Sequence, residues 1–147
     1  MEIERFLLST GPKRVAPFSH AVRAGDMLFV TGQMPTDPAD NTRCVAGGVG
    51  PQTRQVIENL RAVLEGCGGD WERTVMARIY LTEFERDYAA MNAIWEMSFP
   101  PGGLPARTTV GVTGLALGAL VEVDLVVALD RPVVRPALRP QPRRGRP

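Results

Sequence analysis

The spacing of hydrophobic and polar positions changes several times along this chain, and each change marks a new element. The run MLFVTGQ over residues 27–33 is rich in β-branched and aromatic side chains. The Ala24-Gly25-Asp26 turn before it predicts a hairpin whose first arm is residues 19–23. Residues 35–50 mix proline, glycine and asparagine without a sustained period, which predicts irregular structure with room for a short strand. Val56, Ile57, Leu60, Val63 and Leu64 then fall at offsets 0, 1, 4, 7 and 8, one apolar stripe of a helix. Pro51 suits its opening turn, and Gly66 and Gly68 can supply a left-handed stop. A strand is predicted over 75–81 and a second helix over 85–99, with Tyr88, Met91, Trp95 and Phe99 as its stripe and Pro100-Pro101 ending it. Strands over 106–112 and 120–129 close the series.

This order, two or three strands, helix, strand, helix, strand, strand, predicts an α+β fold in which two helices pack on one face of a mixed sheet. It describes a single domain over residues 1–130, without a repeat period. In the last strand the alternation sends Val121, Val123, Leu125 and Val127 toward the helices, and Leu120, Glu122, Asp124 and Val126 to the other face. In the strand before it, Arg107, Thr109 and Gly111 share one face, while Ala106, Thr108, Val110 and Val112 share the other. A sheet face carrying both carboxylates and apolar groups is seldom left to water. The pattern therefore predicts self-association, with helices outside, sheets facing inward and charged clefts between subunits.

Composition changes the picture mainly at the end of the chain. The net charge is +1, yet residues 131–147, RPVVRPALRPQPRRGRP, hold six of the 17 basic residues and no acid. The first 130 residues thus carry 11 basic against 16 acidic groups, about five net negative charges. Recurrent proline denies the tail helix and sheet hydrogen bonds, and few of its residues can be buried, which predicts disorder. Nucleic acid would be a partner only through this tail. No apolar run approaches the roughly 18 residues needed to cross a bilayer, and no signal-like segment opens the chain, so a cytoplasmic protein without membrane association is expected. Cys44 and Cys67 have no spacing that suggests a disulfide or a metal clip, and they read as free thiols.

Several segments in order, APFSHAV at 16–22, LFVTGQMPTDP at 28–38, QTRQVIENLRAVLEGCG at 52–68, IYLTEF and MNAIW around the second helix, PARTTVGV at 105–112 and GALVEVDLVVAL at 118–129, resemble the YjgF/RidA family. The resemblance spans roughly residues 15–129. It implies a chorismate-mutase-like fold, a homotrimer and three sites at the subunit interfaces. It also implies that Arg107 holds a substrate carboxylate and that Glu122 positions or activates the attacking water. A planar guanidinium matches a carboxylate through two parallel hydrogen bonds, and a carboxylate acceptor near an imine carbon suits the second role. By the same resemblance Thr31 and Gly32 line the pocket, Asn92 faces it from the second helix, and Thr109 sits where the family often has cysteine and a backbone carbonyl meets the imine nitrogen. Phe18 stands where typical imine deaminases of the family have tyrosine, which keeps the wall and loses a hydroxyl. His20 replaces a common glutamine.

The function implied is hydrolytic deamination of reactive 2-imino or enamine carboxylic acids to keto acids with release of ammonia. Loss of the tyrosine hydroxyl points toward carboxylates other than the shortest 2-imino acids. No cofactor is expected, since one histidine and two unclustered cysteines offer no metal-ligand spacing, and no glycine-rich loop has phosphate-binding form. Two rivals stand beside it: a non-catalytic small-carboxylate-binding module that uses Arg107, and an interaction module in which a trimer presents its basic tails to an acidic partner or nucleic acid.

Overall fold

The computed structural model describes residues 1–130, so the tail over 131–147, and the disorder expected of it, lie outside the described residues. In chain order the elements are β1 (Ile3–Phe6), β2 (Ala21–Ala24), β3 (Met27–Gln33), β4 (Thr36–Asp37), β5 (Asp40–Cys44), α1 (Val49–Cys67), β6 (Thr74–Leu81), α2 (Phe84–Met97), β7 (Ala106–Gly111) and β8 (Val121–Ala128). Short 3₁₀ turns at Trp71–Arg73 and Ala116–Gly118 precede β6 and β8.

The strand with the cleanest alternation becomes the middle of the sheet. Six strands are ordered β1-β2-β3-β8-β6-β7, and every pair is antiparallel except β6 with β7, which α2 joins by a crossover. Val121, Val123, Leu125 and Val127 are fully buried and pack with Leu28, Val30, Ile79 and Leu81 beneath α1 and α2. Each such side chain contributes roughly 1.5–3 kcal/mol over its exposed state. The backbone of β8 is thereby the most firmly held in the sheet, a rigid base for whatever its other face carries.

Helix α1 buries the predicted stripe, Val56, Ile57, Leu60, Val63 and Leu64. It starts two residues before Pro51 and ends at Gly68, which is left-handed at φ 72°, while the Gly69 N–H donates to the Leu64 carbonyl at 2.9 Å. Gly66 lies inside the helix instead of ending it. A Cβ there would stand 2.8 Å from Leu8 Cδ1, so this glycine lets the segment after β1 press against α1.

Four features depart from the expectation. The charged run IERF forms β1, which no alternation announced. The region 35–50 holds a two-stranded sheet, β4 with β5, tied to α1 by Asn59, whose Nδ2 donates to the Met34 and Thr36 carbonyls at 3.0 and 3.1 Å. The α2 stripe buries Met91 and Trp95 as predicted and departs only at its first member. Asp87 is buried at 4% exposure, whereas Tyr88 is 37% exposed and stacks on Phe84. Finally, Phe99 lies just past the end of the helix, in an aromatic cluster with Trp71 and Trp95.

Away from the helices the sheet is bare within one chain. Register joins Val22, Phe29, Val126, Met76 and Ala106 into one row crossing five strands, and Phe29 in its middle is 49% exposed. The mixed apolar and charged face read from the alternation is present.

Candidate functional site

Glu122 and Asp124 project from β8 onto this open face, and their surroundings differ. Asp124 accepts from Arg78 Nε at 2.8 and 3.1 Å and from the Tyr80 hydroxyl at 3.0 Å, so its charge is compensated. Glu122 lies opposite Tyr80 but, among the described residues, receives no hydrogen bond and meets no cation. Burial, and after it the neighbouring Asp124 carboxylate, hold the Glu122 carboxyl above the usual carboxylate range.

Room for that carboxyl comes from β3. The β3–β8 register slips between Val30 and Gln33, a bulge that carries Thr31 and Gly32. A Cβ on Gly32 would lie 3.1 Å from Glu122 Cδ and 3.2 Å from Oε2, tighter than a side chain comfortably accepts. Thr31 turns the other way: its hydroxyl donates to the Ser19 carbonyl at 2.6 Å and its N–H to the His20 carbonyl at 3.1 Å. Thr31 is therefore a brace, and the loop it braces brings Phe18 to the site. A cavity of about 130 Å³ results, lined among others by Glu122, Gly32, Phe18, Met34, Ala116 and Lys13.

His20, 2% exposed, is structural. The Leu8 N–H donates to its Nδ1 at 3.1 Å, and its Nε2 lies 2.8 Å from the Pro12 carbonyl. A carbonyl can only accept, so the proton sits on Nε2 and both ring nitrogens are engaged. Neither thiol touches these hollows. Burial first, and then Glu4, push the Cys67 thiol up to about 11, and burial also raises Cys44, whose Sγ donates to the Leu117 carbonyl. Among the described residues no group of three or more histidines, cysteines and acids is placed to hold a metal ion.

Arg107 belongs to a different neighbourhood. In the parallel β6–β7 ladder it is level with Ala77, whose side chain faces the helices, so Arg107 and Thr109 share the helix side of the edge strand. The Arg107 guanidinium lies 6.0 Å from the centre of the Tyr88 ring, with Nη2 3.5 Å from its hydroxyl. Among the described residues it has no ion pair, and the nearest acid on β8 with a cation of its own, Asp124, lies on the other face of the sheet with Arg78. Beside it opens a hollow of about 260 Å³ lined by Asn92, Trp95, Glu96, Leu104, Pro105 and Arg107. Among the described residues, the buried Asn92 Oδ1 and, next along this side of β7, the buried Thr109 Oγ1 have no hydrogen-bond partner.

The seven sequence-derived site residues thus fall into two groups: Phe18, Thr31, Gly32 and Glu122 on one side, Asn92, Arg107 and Thr109 on the other. Arg107 aligns through Ala77 with Leu125, three residues from Glu122 along β8 and two strand spacings away, roughly 10 Å, on the opposite face. One chain alone cannot bring both to a single small molecule. Sequence reasoning missed Lys13 and Met34 at the first hollow and Tyr88 under Arg107. That the first turn of α2 buries Asp87 and leaves Tyr88 partly exposed had no signal in the helical period.

A two-helix α+β chain with this strand order defines a class of protein by its fold, and known relatives share it. The family described as Endoribonuclease L-PSP matches residues 9–129. A RutC family protein of Pyrococcus horikoshii is 35% identical over 123 residues, 84% of this chain and 95% of that protein. Protein DfrA of Myxococcus xanthus is 42% identical over 117 residues, 78% of this chain and 87% of that one. The crystal structure of a Yersinia pestis member of the conserved Rid protein family superposes with a TM-score of 0.80 at 30% identity, covering 87% of this chain and all of that one. The chain belongs to the YjgF/RidA family. No helix among the described residues is long and apolar enough to cross a membrane.

Proposed function

We propose that the protein hydrolyses reactive 2-imino and enamine carboxylic acids in clefts formed when three copies join through their open sheet faces. One observation carries this reading: among the described residues, a half-buried carboxylate has no cation and an arginine has no acid, and the two stand on opposite faces of one sheet. A neighbouring copy supplies to each half what it lacks. In a cyclic trimer the Arg107 edge of one chain meets the Glu122 face of the next.

The chemistry follows from the groups. An enamine first moves a proton from nitrogen to carbon and becomes the imine. Arg107 grips the substrate carboxylate through two parallel hydrogen bonds, with Asn92 beside it in the same hollow. Glu122, ionised, accepts a hydrogen bond from one water and directs its oxygen at the imine carbon. The new C–O bond forms as the nitrogen takes a proton; the C–N bond of the adduct then breaks, leaving a keto acid and ammonia. Imines hydrolyse unaided in water, so orientation is most of what catalysis must provide. Hydrolysis transfers no electrons and needs no redox partner. Ribonuclease chemistry, suggested by the family's description, would need a free acid–base pair, and His20 has neither ring nitrogen free.

The test is a coupled assay in which an amino acid oxidase generates an imine while its disappearance is timed. Arg107→Ala is expected to lower kcat/KM about 10²-fold, consistent with roughly 3 kcal/mol for two charge-assisted bonds. Arg107→Lys does not restore it. If the native protein binds a keto acid through Arg107 yet leaves the imine's lifetime unchanged, it is a carboxylate-binding module instead.

A further inference from the structure

The segment between β1 and β2 forms one wall of the Glu122 cavity, and it is a built wall. Leu8 packs against the hydrophobic core and presses on Gly66 of α1. His20 clasps the segment twice, at the Leu8 N–H and the Pro12 carbonyl. Arg14 donates to the Phe18 carbonyl at 3.1 Å. Pro12 and Arg14 are thereby each tied to the segment on either side of Lys13, an exposed residue that lines the cavity. The Arg14 cation is occupied; that of Lys13 is not. Among the described residues no acid pairs with Lys13, although Asp37 and Glu58 line the adjoining hollow with it.

The rest of the wall is largely apolar: Val15, Ala16, Phe18, Met34 and Ala116. Phe18 offers no hydroxyl, so Lys13 is the one cation on the described part of this wall. The hollow of about 130 Å³ has room for more than the methyl group of the smallest 2-imino acids. A methyl group would leave most of it empty.

We propose that Lys13 is a second carboxylate-binding group, and that the preferred substrates are 2-imino or enamine acids whose side chain ends in a second carboxylate. This rests on the hydrolytic reading above: Arg107 holds the first carboxylate, Glu122 serves the imine carbon, and the side chain runs along the apolar wall to the ammonium at its rim.

The experiment compares 2-iminopentanedioate with 2-iminopentanoate, both made in situ by amino acid oxidases. They have the same chain length and differ only in the end group. The native protein is expected to favour the dicarboxylate by tenfold or more in kcat/KM. Lys13→Ala brings that ratio to about one, through KM; Lys13→Glu inverts it; and Lys13→Arg, which keeps the charge, restores most of it. Because the readout is a ratio, a variant that is merely less well folded lowers both rates and leaves it unchanged. Calorimetric binding of 2-oxopentanedioate and 2-oxopentanoate reads the same preference without chemistry. A native ratio near or below one, or a ratio that Lys13→Ala and Lys13→Glu leave intact, overturns this subsite while leaving the hydrolytic reading standing. Acceleration of neither imine removes both.

Discussion

The two halves of the candidate site are held by opposite means. Glu122 stands on β8, the strand with a neighbour on each side and a fully buried underface, and its surroundings are partly dry. Arg107 stands on β7, the edge strand, supported by one half-exposed tyrosine. The difference follows the physics of each group. A carboxyl that is to manage one water gains from a rigid and desolvated place, because burial raises its basicity. A guanidinium stays charged almost anywhere, and it needs reach and an unsatisfied fork of donors more than it needs burial. The first belongs at the centre of a sheet and the second at a rim, where another molecule can meet it.

If the halves meet only between copies, they can be broken separately and rejoined. Arg107→Ala and Glu122→Gln are each expected to lose about 10²-fold of kcat/KM. Unfolding the two variants together and refolding them as mixed trimers should recover activity. Random assembly leaves about one quarter of the clefts with an intact arginine from one chain and an intact glutamate from the next. Recovery of that size, measured in the imine assay, supports the split site. No recovery from trimers shown to be mixed would mean that both groups act within one chain, against the geometry of β6, β7 and β8.

A subtler break acts on the rigid half alone. Gly32 does not have a positive φ, so alanine fits its backbone, and the added carbon presses directly on the Glu122 carboxyl at 3.1–3.2 Å. Gly32→Ala is expected to lower kcat about tenfold, because a displacement of a few tenths of an ångström misdirects the water. KM should change little, since the carboxylate-binding half is untouched. An equal loss carried by KM would instead show that Gly32 itself contacts the substrate.

The contrast between the halves also separates what could be read from the sequence from what could not. The α1 stripe and the β8 alternation were legible because burial repeats along one element, and the side chains of Glu122 and Asp124 could be assigned to a face from that alone. Strands β1, β4 and β5 were not, because their partners decide them: β1 exists by pairing with β2, and the β4–β5 hairpin is held by Asn59, far away in the chain. The alternation of β7 correctly grouped Arg107 with Thr109. It could not say which face of the sheet that was, since this depends on the parallel register with β6. Roles for the seven residues came from resemblance; their division into two groups came only from the fold.

The smallest expected effect tests whether the two charges feel each other in the assembled protein. Glu122 keeps its proton to a higher pH folded than unfolded. Its contribution therefore favours the fold below the ordinary glutamate range, about pH 4.3, and is lost as pH rises through the raised value. Above that, the ionised group is a burden that glutamine removes. Glu122→Gln should raise Tm by about 1–3 °C at pH 8 and leave it unchanged at pH 4. If the Arg107 of a neighbouring copy faces this carboxylate, it offsets part of that burden. The gain from Glu122→Gln should then be larger when Arg107→Ala is already present. Equal gains in both backgrounds, measured by calorimetry at pH 8, would place the two charges too far apart to share a substrate.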